Sequence, residues 1–124
     1  MILGIGLDVV HVKRLEHWME IPGLLERFFH PEELSAALRK GAGATLSLAA
    51  RFAAKEAFGK ALGIGLRGIT LKNILVVNNH NGKPCMTLFG NARDAFLKSR
   101  GVNIHLSLTH ESDNALAMVV IEGG

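Results

Sequence analysis

One helical run, Thr45 to Leu62 (TLSLAARFAAKEAFGKAL), closed by Gly63, constrains this chain more than any other stretch. Its Ala, Leu and Phe residues combine helix propensity with an apolar body, so the run demands burial against other elements. Thr45 or Ser47 is placed to cap its start, and Gly63 sits where a left-handed C-terminal residue is expected. Arg51 and Lys55 lie four apart and share a face; Glu56 and Lys60 repeat that spacing on the adjacent stripe. A carboxylate flanked by three cations suits a metal ion beside a polyphosphate. The same spacing also describes a solvated face with an ordinary Glu→Lys pair, and the rest of the chain has to decide between them.

A chain of 124 residues is the length of one domain, here residues 1–124, large enough to bury a core. Its 48% hydrophobic share exceeds what a small monomer easily hides, so a subunit interface is expected. Lys and Arg outnumber Asp and Glu by 14 to 11, which favours an anionic partner but is too little to argue for nucleic acid. A lone Cys85 excludes an internal disulfide, and six scattered His without paired Cys or HExxH spacing argue against zinc. The opening MILGIGLDVV is apolar, but Asp8 interrupts it and it is too short to span a bilayer. These features predict a cytoplasmic protein without a membrane span.

Ile2 to Val10 reads as a strand buried on both faces, with Asp8 the anomaly, since an ionised carboxylate there needs a cation, a metal or several donors. A structural Asp capping the next turn is the plainer reading. His11 to Glu20 reads as an amphipathic helix on Val12, Leu15 and Met19; Pro22 opens a second through Phe28, and Pro31 a third. Lys40 to Ala44 is a flexible break. Gly63, Gly65 and Gly68 follow a helix rather than a strand, so they form a cap and turn that also permits close approach to an anion, not a dinucleotide fingerprint. Thr70 to Asn79 is predicted to be a strand, returning through an Asn81-Gly82 turn to Cys85–Phe89. Asn91 caps a helix ended by Gly101. Strands 103–109 and 115–121 follow, joined across residues 110–114. Alternation on the first puts His105, Ser107 and Thr109 on one face, either solvated or suited to phosphate oxygens.

Two separated carboxylates, Asp8 and Glu56, among basic residues are what Mg²⁺ on a pyrophosphate requires. At this point the chain resembles the holo-[acyl-carrier-protein] synthase family of small 4′-phosphopantetheinyl transferases. GIGLDVV at 4–10 with Lys13-Arg14 is similar to that family's first signature, and RFAAKEAFGKALG at 51–63 to its second. NGKP at 81–84 and HLSLTH at 105–110 fall where two further motifs belong. The resemblance implies an α+β fold, a small antiparallel sheet packed on a long helix, assembled as a homotrimer with active sites between subunits. It implies Mg²⁺-dependent transfer of phosphopantetheine from coenzyme A to a serine of apo acyl carrier protein, releasing adenosine 3′,5′-bisphosphate, in fatty acid biosynthesis. By matching position, Asp8 and Glu56 would hold the metal, with Lys60 the third catalytic residue. Arg51, Lys55, Lys60, Gly63 and Gly65 would lie near the phosphates of coenzyme A, and Asn81, Gly82, Lys83 and Pro84 near its adenine. His105, Ser107 and Thr109 would reach it from the neighbouring subunit, while Lys13, Arg14 and Arg27 would meet the acidic carrier.

The chain departs from the family pattern at His11, where a Glu is usual, at Ile64, which replaces a small hydroxyl residue, and at Asn114, where an aromatic is common. Two other classes compete. A module that holds coenzyme A or a carrier without turnover is opposed by the intact Asp8, Glu56 and Lys60. A nucleic-acid binder is opposed by the absence of a basic run and of aromatics interleaved with basic residues.

Overall fold

The computed structural model describes residues 1–124, an α+β arrangement of two antiparallel sheets and five α-helices. Strands β1 (Ile2–His11), β4 (Gly101–Glu111) and β5 (Asn114–Gly123) form a sheet ordered β1-β5-β4, and α4 (Ala44–Leu62) lies across one side of it. The contact with β1 is made by backbone. A Cβ on Gly6 would stand 1.8 Å from the carbonyl oxygen of Ala57, and one on Gly4 1.8 Å from that of Ala61. Glycine is thus required at both positions by the helix above, whatever the strand conformation. Asp8 continues the same inward alternation, and Val10, 1% exposed, completes it.

The expected burial of β1 on both faces is not found. Ile5, Leu7 and Val9 point away from α4 and are 60, 56 and 54% exposed, because the helix layer covers one side of the sheet only. Ala115, Ala117, Val119 and Ile121 carry the buried side of β5, and Ile104, Leu106 and Leu108 that of β4. His105, Ser107 and Thr109 stand on the outer side, as alternation predicts.

The second sheet pairs β2 (Ile74–Asn78) with β3 (Pro84–Leu88). The other edge of β2 has no strand beside it, and buried side chains take that place. Lys55 Nζ donates to Ile74 O, Val76 N–H donates to Glu33 Oε2 at 3.0 Å, and Arg51 Nε donates to Val76 O at 3.0 Å. Three charged groups therefore satisfy backbone positions that would otherwise be orphaned in the core. Glu33 enters from α3 (Pro31–Leu38), where its Oε1 also accepts from His30 N–H at 2.9 Å in a capping box. Helices α1 (Val12–Met19) and α2 (Leu25–Phe28) close the remaining side through Trp18, Phe28 and Phe52, with ring centroids 4.9 to 6.2 Å apart.

Several local expectations need correcting. Neither Thr45 nor Ser47 caps α4: a 3₁₀ turn over Gly41–Gly43 feeds directly into the helix from Gly43, so the predicted break is ordered. Pro22 lies in a turn and α2 starts at Leu25. Residues Leu71–Asn73 form a 3₁₀ turn ahead of β2 rather than part of a strand. Asn91 sits inside α5 (Gly90–Lys98), and its side chain ties Thr70 and Asn73 to that helix instead of capping it. Arg100, at φ 69°, makes the left-handed turn assigned to Gly101, which already belongs to β4. The β4–β5 loop shrinks to Ser112-Asp113, with Ser112 at φ 55°. Gly63 ends α4 as predicted, at φ 82°.

Gly6→Ala forces a methyl group into the Ala57 carbonyl, and urea denaturation should show a loss of about 3 kcal/mol in stability or outright failure to fold.

Candidate active site

The backbone contact between β1 and α4 brings Asp8 beside the C-terminal half of that helix. Lys60 Nζ donates to Asp8 Oδ1 at 3.0 Å and to Leu7 O at 3.0 Å, the lysine half-exposed and the carboxylate largely covered. Glu56, one helical turn before Lys60, is half-buried. Burial pushes its carboxyl above the ordinary glutamate range and the charge of Asp8 adds to that push, while Arg14 and Lys60 pull it back. Arg14 reaches this group from α1, its guanidinium 5.1 Å from the Trp18 ring centre and 5.2 Å from that of Phe52. Asp8, Glu56, Lys60 and Arg14 thus converge where β1, α1 and α4 meet.

No three His, Cys, Asp or Glu side chains gather anywhere as a ready-made metal cage. Two carboxylates close enough to repel are nevertheless the donor set that a hard dication accepts, since Mg²⁺ uses few protein oxygens and fills its octahedron with water and phosphate. Lys60 occupies Oδ1 of Asp8, which leaves Oδ2 without a protein partner. The residues therefore fit a magnesium ion. His11, in the position of the usual Glu, caps α1 instead, its Nδ1 accepting from Lys13 N–H at 3.2 Å.

Arg51 and Lys55 share a helix face but not a fate. Arg51, 6% exposed, forms a common wall of two adjoining clefts. One, of about 550 Å³, is lined by Glu32, Ser35, Arg39, Lys40 and Asn78 among others; the second, of about 340 Å³, reaches Leu108 and His110. Arg51 Nε and Nη1 are held by Val76 O and Ser47, and Nη2 has no protein partner. Lys55, expected beside the phosphates, is fully buried and spends its ammonium on Glu33 Oε1 at 2.7 Å, Leu71 O at 2.9 Å and Ile74 O. Burial draws its pKa down and Glu33 opposes that. It is a core cation with no donor left over for a ligand.

Gly63, Ile64 and Gly65 turn back over α4, with Gly65 N–H bonded to Gly59 O at 3.0 Å. Asn81, Gly82 and Lys83 occupy the exposed turn that leads off β2, shaped by Asn79, whose Oδ1 accepts from the N–H groups of Asn81 and Lys83; Pro84 opens β3. His105, Ser107 and Thr109 lie across the sheet from Asp8 and Glu56, so one chain does not bring them together with the carboxylates. His105 instead meets Glu122 at 3.1 Å, and with Asn103 it holds the Glu122 carboxyl below its usual range. Lys13 and Arg27 project from α1 and α2 as exposed cations. Sequence reasoning passed over Lys40, Asn78 and His110, which line the clefts beside Arg51. His110 closes the HLSLTH motif, and its place at the strand end was the available signal.

A family model for the 4′-phosphopantetheinyl transferase superfamily matches residues 4–119. The chain is 58% identical over 123 residues to the holo-[acyl-carrier-protein] synthase of Treponema denticola, covering 99% of this chain and 100% of that one. It is 47% identical to the Treponema pallidum protein of the same name, with 99% and 98% coverage. Among solved structures it resembles the Neisseria meningitidis holo-[acyl-carrier-protein] synthase, with a TM-score of 0.89, 37% identity and coverage of 98% and 99%. A Bacillus anthracis synthase in complex with CoA (3′,5′-ADP) gives a TM-score of 0.83 at 33% identity, covering 100% and 99%.

A glutamate whose folded pKa is raised contributes stability that is complete below its unfolded value, about 4.3, and lost as pH rises through the folded value. Glu56→Gln, which cannot ionise, should therefore melt higher than wild type at neutral pH in a metal chelator. The gap should close as pH falls to the ordinary glutamate value; a constant gap in thermal melts across pH would contradict the assignment.

Proposed function

From the premise that the chain belongs to the 4′-phosphopantetheinyl transferase superfamily, among its holo-[acyl-carrier-protein] synthases, we propose that it transfers 4′-phosphopantetheine from coenzyme A to a serine of apo acyl carrier protein. The observation that carries this reading is the convergence of Asp8, Glu56 and Lys60 at the β1–α4 contact, on the element that also sends Arg51 into the clefts. In this reading residues 1–124 act as one cytoplasmic domain serving fatty acid biosynthesis.

Asp8 and Glu56 would hold Mg²⁺, which when bound offsets negative charge on the pyrophosphate oxygens. Lys60, tethered to Leu7 O and Asp8, keeps one N–H to offer a phosphate oxygen as charge builds there. Arg51 offers its Nη2 to a phosphate from the cleft wall, and Lys40 adds a cation at the rim. The serine oxygen forms a bond to the β-phosphorus, and the bond from that phosphorus to the leaving adenosine bisphosphate breaks. The serine proton needs an acceptor, and the carboxylates of Asp8 and Glu56 are the candidates at this site. The turn at Asn81–Pro84 would border the adenine, and the Gly63–Gly65 turn would allow close approach of the nucleotide.

A homotrimer fits two further observations. The outer side of the sheet exposes Ile5, Leu7, Val9 and Met118, an apolar surface of the kind that subunit contacts cover. Beside it stand His105, Ser107 and Thr109, exposed on the side of the sheet away from Asp8 and Glu56; in a trimer they would approach a neighbour's pyrophosphate. Lys13, Arg14 and Arg27 would face the acidic carrier.

Intact-mass spectrometry of apo acyl carrier protein, incubated with the protein, coenzyme A and Mg²⁺, should show the gain of one phosphopantetheine group. The gain should require the metal and vanish in Asp8→Ala and Glu56→Ala. No gain with several carriers would leave a coenzyme A-binding module as the better account. Lys13→Glu should raise the KM for the carrier about tenfold at low salt and leave coenzyme A binding unchanged, through like-charge repulsion. An equal loss of both would remove Lys13 from the docking surface.

A further inference from the structure

The buried network at the edge of β2 ends at the one buried cation that lines a cleft. Glu33, 0% exposed, accepts three hydrogen bonds, from Lys55 Nζ, His30 N–H and Val76 N–H. Lys55, also 0% exposed, ties that carboxylate to Leu71 O and Ile74 O. Val76 is therefore held on its N–H by Glu33 and on its carbonyl by Arg51 Nε. Ser47 takes Nη1, so the guanidinium plane is set by Val76 on one side and α4 on the other. What remains is Nη2, in the wall shared by both clefts.

We infer that Glu33 and Lys55 are positioning residues for coenzyme A binding: by clamping β2 at Ile74 and Val76 they aim the unpaired Nη2 of Arg51 at the phosphates of the bound nucleotide. This rests on the reading that Arg51 meets those phosphates. A guanidinium on an unclamped strand would lose its carbonyl anchor and swing, so the site would bind the nucleotide less tightly without losing any group that touches it. Glu33 and Lys55 do not reach the clefts themselves, and their effect passes through the strand.

The test is a double-mutant cycle read by calorimetric titration of coenzyme A and by steady-state kinetics. Arg51→Met should weaken coenzyme A binding by more than tenfold. Glu33→Gln should weaken it by about tenfold, raising the KM for coenzyme A while kcat and the KM for the carrier hold. In Glu33→Gln/Arg51→Met the loss should equal that of Arg51→Met alone, because a displaced guanidinium cannot be lost twice. If Glu33→Gln does not fold, Glu33→Gln/Lys55→Met replaces it in the cycle, since removing both charges together leaves none unpaired in the core. Additive losses, or a fall in carrier and coenzyme A parameters alike, would assign the pair a purely structural role and overturn the inference. Near-wild-type binding by Glu33→Gln beside a weak Arg51→Met would overturn the inference and leave Arg51 at the phosphates. Wild-type binding by Arg51→Met would overturn that placement as well, and the inference with it.

Discussion

A carboxylate and an ammonium, both withdrawn from water, hold together the half of the molecule that the main sheet does not reach. Without the Glu33–Lys55 pair, α3, α4 and β2 would meet with Ile74 O and Val76 N–H unpaired in the interior. Taking two charges out of water costs several kcal/mol each, and the arrangement is tolerable because both carboxylate oxygens and all three ammonium protons have partners. No buried side-chain oxygen or nitrogen in the chain lacks one. The pair substitutes for a strand: side chains from two helices complete the hydrogen bonding that a third strand would have supplied. That leaves room at the end of β2 for clefts instead of more sheet.

The other organising constraint is steric. Gly4 and Gly6 let the backbone of α4 settle on the backbone of β1, closer than any side chain would permit. Asp8 follows them on the same side of the strand, so the contact that fixes the helix also delivers a carboxylate to Lys60 and Glu56. Fold and site thus share one cause.

Much of this was legible in the sequence. The end of α4 at Gly63, the Asn-Gly hairpin and the alternation along β4 follow from local chemistry, and the placing of Asp8 near Glu56 is expected from the family resemblance. The rest depended on contacts between distant residues. Arg51 and Lys55 have identical spacing, and only an acid 22 residues before Lys55 decides that one faces a cleft and the other the core. The apolar run of β1 hid its one-sidedness because glycines stand where polar or bulky residues would have marked the alternation. Asn91 looked like a cap because its type suits one, but Thr70 and Asn73 claim its side chain. His30 and His11 cap helices through ring nitrogens, a role that propensity scales rank low.

The glycine contact between β1 and α4 also bears on how the chain tolerates change over evolutionary time. Two elements registered by carbonyl oxygens against bare Cα atoms do not depend on the sizes of the apolar side chains around them. Core residues such as Leu48, Phe58 and Val119 can exchange for others of similar volume, and the spacing between strand and helix, hence between Asp8 and Glu56, stays where the main chain sets it. A lineage of such proteins can drift widely in its interior while the separation of its two acids is inherited almost unchanged.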